Sequence, residues 1–456
     1  MPQCSMRSAL PDVHLPGVTA DTRAALPPPG LGTADDPTAR SVPAALLAEW
    51  LALTGWACDL RAGHGEAVAA GVAAALAHWR TLGLPAAQPG FDPVATLNFI
   101  KHASLAGRDD SWRRVFVANG RRLMWEHHAG AAQATPPTLA NLPPRRFAVA
   151  LSRTFQLAGI ATGTALRLRL PLPLTGADLT DLVVQPAATA GSTLAVLSGR
   201  LEAKLVADGA ATVTLAAQCH FVARRAPVAG VIEPPEPELY TRPSEGLIQV
   251  TPRVRALAAA LAGADASPRD IVRVFWDHLL GRLCFGAIHY HAIPPAAPTD
   301  WVLAHGWTDC RIGSALLIAL CRARGIPARL VGGHTLYEAA PFQHFWAEIW
   351  LAGTGWTPFD LHGSWDLSAG GRDAAWRDFF AGHVDYRMKT EVLPRQFTGP
   401  MSLRLPARWH VLAWRDGDGQ VTGFFDLDTG RPVFSDRIAV RRGAQVAADS
   451  VNAGPL

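Results

Sequence analysis

The spacing of apolar positions along the 456-residue chain changes from region to region, and each change predicts a different kind of element. LLAEWLAL (46–53) and EAVAAGVAAALAHW (66–79) place large residues at intervals of three and four, the spacing of one helical face, and VATLNFIKHA (94–103) continues it. VFVANGRRLMW (115–125) sets Asn-Gly between two apolar runs, which fits a hairpin as well as a helix. After the Pro-rich PPTLANLPP (136–144) the period drops to two. RTFQLAG (153–159), TALRLRLPLPL (164–174), DLVVQPA (181–187), STLAVLSG (192–199) and ATVTLAAQCHFVARR (211–225) alternate apolar with polar between turn-like breaks, which predicts an antiparallel β-sandwich.

A second Pro-rich linker, EPPEPELYTRPSEG (233–246), opens a third regime. TPRVRALAAALAG (251–263) and SPRDIVRVFWDHLLGRL (267–283) read as helices, the second with Ser267 as N-cap and Pro268 in its first position. From 310 to 324 nearly every face is apolar, through Ile312, Leu316, Leu317, Ile318, Leu320 and Cys321, so this helix must be buried. Thr308 or Asp309 can cap its start; Gly325 and Pro327 end it. An extended IPARLVGG follows, then two aromatic strands, HFWAEIWL and GWTPFDL, joined at Gly353-Thr354-Gly355. The tail from Arg408 reads as a three-stranded meander around Asp418-Gly419 and Thr429-Gly430. The expected organisation is a disordered arm (1–45), a helical N-terminal region (46–135), an antiparallel β domain (145–232), an α+β core (246–400) and a C-terminal β meander (401–456).

Composition narrows the function. Apolar residues make up 49% of the chain and charged residues 18%, enough to build cores. A net charge of +4, with no Lys/Arg run longer than two, argues against a nucleic-acid partner. The longest apolar run, AVAAGVAAALA (67–77), is too short to span a bilayer, and the N-terminus lacks an apolar signal region. The six cysteines have no framework spacing and read as reduced thiols. Cytoplasmic location and no membrane partner are the resulting expectations.

One cysteine stands in a chemically useful place. Cys310 falls in the first turn of the buried helix, where unpaired N–H groups and the helix dipole favour a thiolate and can stabilise an oxyanion. Asp309 opposes the thiolate unless its carboxylate is occupied in capping. His344 opens one aromatic strand and Asp360 closes the other, so a base and a carboxylate to orient it lie toward one end of a hairpin. A turn centred on Thr354 places Asp360 opposite Glu348, so reaching His344 requires a bulge or a sheared pairing. His305 and His334 are near in sequence; His334 rivals His344 as base but lacks the strand and acid that follow His344. Cys284, His289 and His291 suggest a metal site without third and fourth ligands, and no acidic cluster suits calcium, so no metal or cofactor is expected. SWDLSAGGRDAAWRDFF (364–380) fits either a cleft wall, using Trp365, Asp366 or Arg372, or a capped surface helix.

Three blocks in order, Cys310 through RARGIPAR, His344-Phe-Trp346-Ala-Glu348, and Gly355-Trp356-Thr-Pro-Phe359-Asp360, resemble the transglutaminase-like superfamily over about 250–365. The resemblance implies a papain-like core, with a cysteine helix packed on an antiparallel sheet. It implies Cys310 as nucleophile, His344 as base and Asp360 as orienting acid. Trp307, with Asp309, would stand near the oxyanion site, and His334, Trp346 and Trp365 would line a substrate cleft. The expected reaction is cysteine-dependent acyl transfer through a thioester acyl-enzyme, forming or exchanging amide bonds. The donor would be a protein, a peptide or a carrier-bound thioester, and the acceptor an amine or water. Hydrolysis by a cysteine protease or amidase is the alternative, and a non-catalytic binding protein a second one.

Overall fold

The computed structural model describes Arg121 and residues 143–187, 191–224, 236–286, 290, 293–338, 341–368, 373–393, 409–416, 419–426 and 432–445. The arm expected over 1–45 and the helical region expected over 46–135 lie outside these residues, except Arg121, which is helical.

Strands β1 (Arg145–Gln156), β2 (Ala165–Pro171), β3 (Leu179–Pro186), β4 (Thr193–Leu197), β5 (Arg200–Val206) and β6 (Thr212–Ala223) follow one another. Their alternation buries one face of each strand: Phe147, Val149 and Leu151 of β1 face Leu201 and Ala203 of β5 and Leu215, Cys219 and Phe221 of β6 in one core. The expected five strands are six, because RLEAKLV forms β5 between β2 and β4; β1 also begins at Arg145, ahead of the expected Arg153.

The tail does not stand apart. β15 (Trp409–Asp416), β16 (Gly419–Asp426) and β17 (Pro432–Gln445) form the expected meander, but β17 pairs antiparallel along β1, with Val149 opposite Val440. The larger sheet runs β15-β16-β17-β1-β6-β3, and β2-β5-β4 is the smaller one. Without β17, the edge of β1 would leave a row of backbone groups unpaired, which explains why the chain returns there. The expected separate domain over 401–456 is corrected to part of the sandwich.

Between them lies the α+β core. It holds helices α1 (Pro237–Tyr240), α2 (Pro252–Leu261), α3 (Pro268–Arg282), α4 (Pro298–His305), α5 (Cys310–Ala323), α6 (Leu361–Leu367) and α7 (Ala374–Phe379). The short strands β7 (Ser244–Glu245) and β8 (Ile248–Gln249) pair with each other, as do β9 (Cys284–Phe285) and β10 (Trp307–Thr308). The main sheet has the order β13-β12-β11-β14, from β11 (Ala328–Thr335), β12 (Gln343–Leu351), β13 (Gly355–Phe359) and β14 (Arg387–Val392). Ser267 caps α3 by accepting from the Asp270 N–H, with Pro268 behind it. Gly325 takes φ +70° just beyond α5, and the buried Arg322 ties the end of that helix to the Ala328 carbonyl and to Glu245.

Both faces of β12 are covered, so its sequence shows little polar alternation. Phe345, Ala347, Ile349 and Leu351 pack with α5 in the main core. On the opposite face Trp346 meets Leu174, Val331 and Val392. Leu336, Tyr386 and Met388 of the core enter the sandwich interior, where the Tyr386 ring lies 5.4 Å from Phe147. Core and sandwich thus share apolar packing. No helix among the described residues is long and apolar enough to cross a membrane.

Gly333, opposite His344, sits where β11 shifts register against β14. A Cβ there would lie 2.0 Å from the Met388 carbonyl oxygen, a backbone atom. Gly333→Ala is expected to lose about 3 kcal/mol or more in urea unfolding. Gly353→Ala, strained only by its φ of +82° in open space, is expected to lose about 1 kcal/mol. Equal losses would mean that β14 gives way freely.

His334, pressed toward the Arg153–Asp436 ion pair, has its imidazole pushed down to about 4, chiefly by burial. The unfolded chain takes up this proton near pH 6.5, whereas the folded protein resists it until about pH 4. Stability should therefore fall as pH drops across that window. In His334→Gln that part of the acid loss, read from urea midpoints between those two values, should disappear.

Candidate active site

Cys310 begins α5 and is partly exposed, while Cys219 and Cys321 are buried. Burial pushes the Cys219 thiol up to about 12 and Cys321 higher still, so both are inert near neutral pH. Asp309 is the cap: its Oδ1 accepts from the Ile312 N–H at 2.8 Å, and its Oδ2 accepts from the Tyr290 hydroxyl. Both carboxylate oxygens are engaged, which limits the opposition of this charge to a neighbouring thiolate. Burial drives the Tyr290 hydroxyl well above its ordinary range, so it stays a neutral donor.

The next residue brings the helix mouth to the sheet. Arg311 is buried with its guanidinium 4.3 Å over the Phe345 ring and 5.3 Å from the Tyr290 ring. Burial alone would lower its pKa, but the Tyr290 hydroxyl, Asp309, the Cys310 sulfur and Glu391 outweigh it and keep the cation. Gly313 allows close packing, since a Cβ there would meet Phe285 at 2.9 Å and Thr308 at 3.1 Å. The first turn of α5 therefore rests between the β9–β10 pair and the start of β12.

His344 lies at that start, and its Nε2 is 2.8 Å from Asp360 Oδ2. The hairpin pairs Trp350 with Trp356 and Ala347 with Phe359, so the turn is centred on Gly353 rather than Thr354. Continued one step, this register sets Asp360 across from Trp346, a diagonal neighbour of His344 on the same face. The expected bulge or shear is not needed, because the turn is Ala352-Gly353-Thr354, one residue earlier than the Gly-Thr-Gly reading placed it.

Asp360 is fully buried and serves four partners. It caps α6 through Oδ1, accepting from the Gly363 N–H at 2.9 Å. Its Oδ2 takes His344 and, at 2.6 Å, the Arg387 guanidinium, while its own N–H donates to the Phe380 carbonyl. Arg387 is in turn held by Asp385 at 2.8 Å. Burial would raise the Asp360 carboxyl, but His344 and Arg387 hold it far below the usual range, so it is ionised at any working pH. An ionised carboxylate on Nε2 makes that nitrogen the proton carrier and leaves Nδ1 as acceptor. Phe342, Trp346 and His362 surround the ring at 5.6, 6.4 and 6.0 Å.

The remaining expected residues fall out differently. The Trp307 backbone pairs with Cys284 beside the helix mouth; its side chain lies outside the described residues, as do those of Cys284 and His305 and all of His289, His291 and Arg372. His334 pairs with Gln343, one step along from the Gly333–His344 pair, so it projects from the other face of the sheet, toward the sandwich. Trp346 is buried beneath Arg387, which stacks 4.9 Å from its ring. Trp365 is buried against Phe285 in the main core. Strand alternation turns His334 away from the His344 face and apolar contacts bury Trp365, while the nearly buried Trp346 lines a cavity on the face of β12 turned from α5. The stretch 364–380 forms two capped helices, with Asp373 capping α7. Among the described residues no group of His, Cys, Asp and Glu could hold a metal.

Sequence reasoning missed Arg387, Asp385, Arg311 and Tyr290. No spacing rule links DYRMKT to Asp360. Arg311 had one signal, a charge inside an otherwise apolar helix.

Residues 255–361 match the model of the core of the transglutaminase-like superfamily. A protein from Cytophaga hutchinsonii, described as a candidate cysteine protease, is similar at 14% identity and TM-score 0.38, over 66% of this chain and 99% of that one. The periplasmic domain of TgpA from Pseudomonas aeruginosa is similar at 18% identity and TM-score 0.27, over 53% and 95%. No curated protein matches the chain. Through residues 255–361, within its α+β core, the chain is similar to the transglutaminase-like superfamily, and that match supports a cysteine-based catalytic domain.

Proposed function

We propose that Cys310, His344 and Asp360 act as nucleophile, base and orienting acid in acyl transfer to an amine. The observation that carries this reading is the buried His344–Asp360 bond at 2.8 Å, set at the strand end that meets the first turn of the Cys310 helix. The Cys310 thiol gives its proton to His344 Nδ1 and the sulfur adds to the carbonyl carbon of an amide or thioester. Of the first-turn N–H groups, those of Ile312 and Gly313 are taken by Asp309, so those of Cys310 and Arg311 are the donors for the oxyanion. The imidazolium returns its proton to the departing amine or thiol, leaving a thioester on Cys310. An incoming primary amine then loses a proton to His344, attacks the thioester and restores the thiol.

Burial favours an amine over water. His344 is only 5% exposed and is ringed by aromatic groups, so bulk water has poor access to the base. An acceptor that brings its own binding energy is less hindered. Suitable donors are a glutamine-type amide in a peptide or protein and a carrier-bound thioester.

The direct test is intact mass after incubation with p-nitrophenyl acetate. Wild type should gain one acetyl group, Cys310→Ala none, and His344→Ala should acylate about 100-fold or more slowly. Adding glycine ethyl ester should divert the acetyl group into an amide. Acetate as the sole product would replace the amine reading with hydrolysis, and equal labelling of Cys310→Ala would remove the nucleophile.

Arg387 allows a sharper test. Arg387→Gln removes one buried positive charge from the carboxylate shared with His344. The pH profile of Cys310 acylation should move to higher pH, because an imidazolium beside Asp360 is then less opposed. A lower rate with an unmoved profile would reduce Arg387 to scaffolding.

A further inference from the structure

On the face of β12 turned from α5, the face that His344 shares with Trp346, lies a cavity of about 370 Å³ between the main sheet and the 174–178 loop of the sandwich. Neither Cys310 nor His344 is in its wall. Its size is that of a site for a small organic molecule.

Its walls combine flat apolar surface with spare donors. Trp346, Trp350 and Trp356 line it, with the guanidinium groups of Arg387 and Arg329 stacked on the rings of Trp346 and Trp356. Most of the charge beneath is already neutralised. Glu348 takes Arg329 at 2.6 Å and Lys389 at 2.5 Å, and Lys389 also reaches Asp178 at 2.9 Å. Burial alone would raise the Glu348 carboxyl, but these cations hold it at about 2, so the cluster stays ionised. Arg387 divides Nη2 and Nε between Asp360 and Asp385.

What is left over is mostly of one kind. Trp346 Nε1, Trp350 Nε1, Arg387 Nη1 and Arg224 Nε are buried donors with no acceptor among the described residues. Arg224 has no carboxylate partner there either. Arg329, Arg387 and Lys389 are each matched to carboxylates, Arg387 to both Asp360 and Asp385, so Arg224 is the cation of the wall left without an acid beside it among the described residues. A buried unpaired donor is destabilising, and a group of them in one wall calls for acceptors.

We propose that this cavity is a second small-molecule site, taking an organic anion with an aromatic or short aliphatic body. Its carboxylate would sit against Arg224 and the indole N–H groups, and its body between the tryptophans. This site does not depend on the chemistry assigned to Cys310.

The probe is 3-phenylpropanoate, with 3-phenylpropan-1-ol as its neutral counterpart, titrated by calorimetry and tryptophan fluorescence against the full chain and Cys310→Ala. The carboxylate should bind both proteins equally, one per chain, and the alcohol about tenfold or more weakly. Arg224→Gln, at a partly exposed position, should weaken the carboxylate about tenfold; Trp350→Phe, which removes one N–H, should weaken it less. No binding, equal binding of the alcohol, or indifference to Arg224→Gln would show a cavity filled by water alone. Loss of binding in Cys310→Ala would move the probe to the thiol and overturn the second site.

Discussion

One carboxylate joins the parts of the core that have to meet. Asp360 ends β13, caps α6, accepts from Arg387 on the far strand β14 and bonds the imidazole of His344 on β12. A buried charge without partners would be far more unfavourable than an unpaired neutral group, so these contacts are obligatory once the sheet closes over it. That obligation holds the hairpin register, the start of α6 and the edge strand β14 in one arrangement. The imidazole inherits its tautomer from the same contact.

Charge in this cluster is balanced for the proposed chemistry. Asp360 and Asp385 carry two negative charges against the single guanidinium of Arg387. The remaining negative charge faces His344, where a proton arrives when the Cys310 thiol ionises. On the helix side Asp309 has its two oxygens engaged by the Ile312 N–H and the Tyr290 hydroxyl. Each carboxylate near the reacting atoms is therefore committed to hydrogen bonds, and neither is free to take the thiol proton. Arg311 and Glu391 extend the pattern beneath the helix mouth, so the site rests on buried charges that compensate one another.

The β-sandwich is more than a neighbour of this core. Leu336, Tyr386 and Met388 enter its interior, so residues directly before and within β14 are packed from the sandwich side. Arg387 lies between Tyr386 and Met388 and points the opposite way, toward Asp360. Strand alternation thus couples packing against the sandwich to the support of the candidate site.

Read alone, the chain determined whatever depends on neighbours in sequence. The period-two runs became strands, Ser267 and Asp309 became caps, and the Gly325-Ile-Pro327 stop ended α5, because each follows from local backbone chemistry. The three motif blocks were enough to name the superfamily and the three residues proposed to carry the chemistry. Tertiary structure decided what depends on distant partners. β17 joins β1 across 283 positions at the Arg153–Asp436 pair, and Arg387 finds Asp360 across 27, with no periodicity marking either. His334 and His344 looked alike as candidate bases until strand pairing sent them to opposite faces. Trp365, legible as a cleft wall, was buried because aromatic area is more stable packed than exposed. Local rules are written in spacing; partnership is settled when the faces meet.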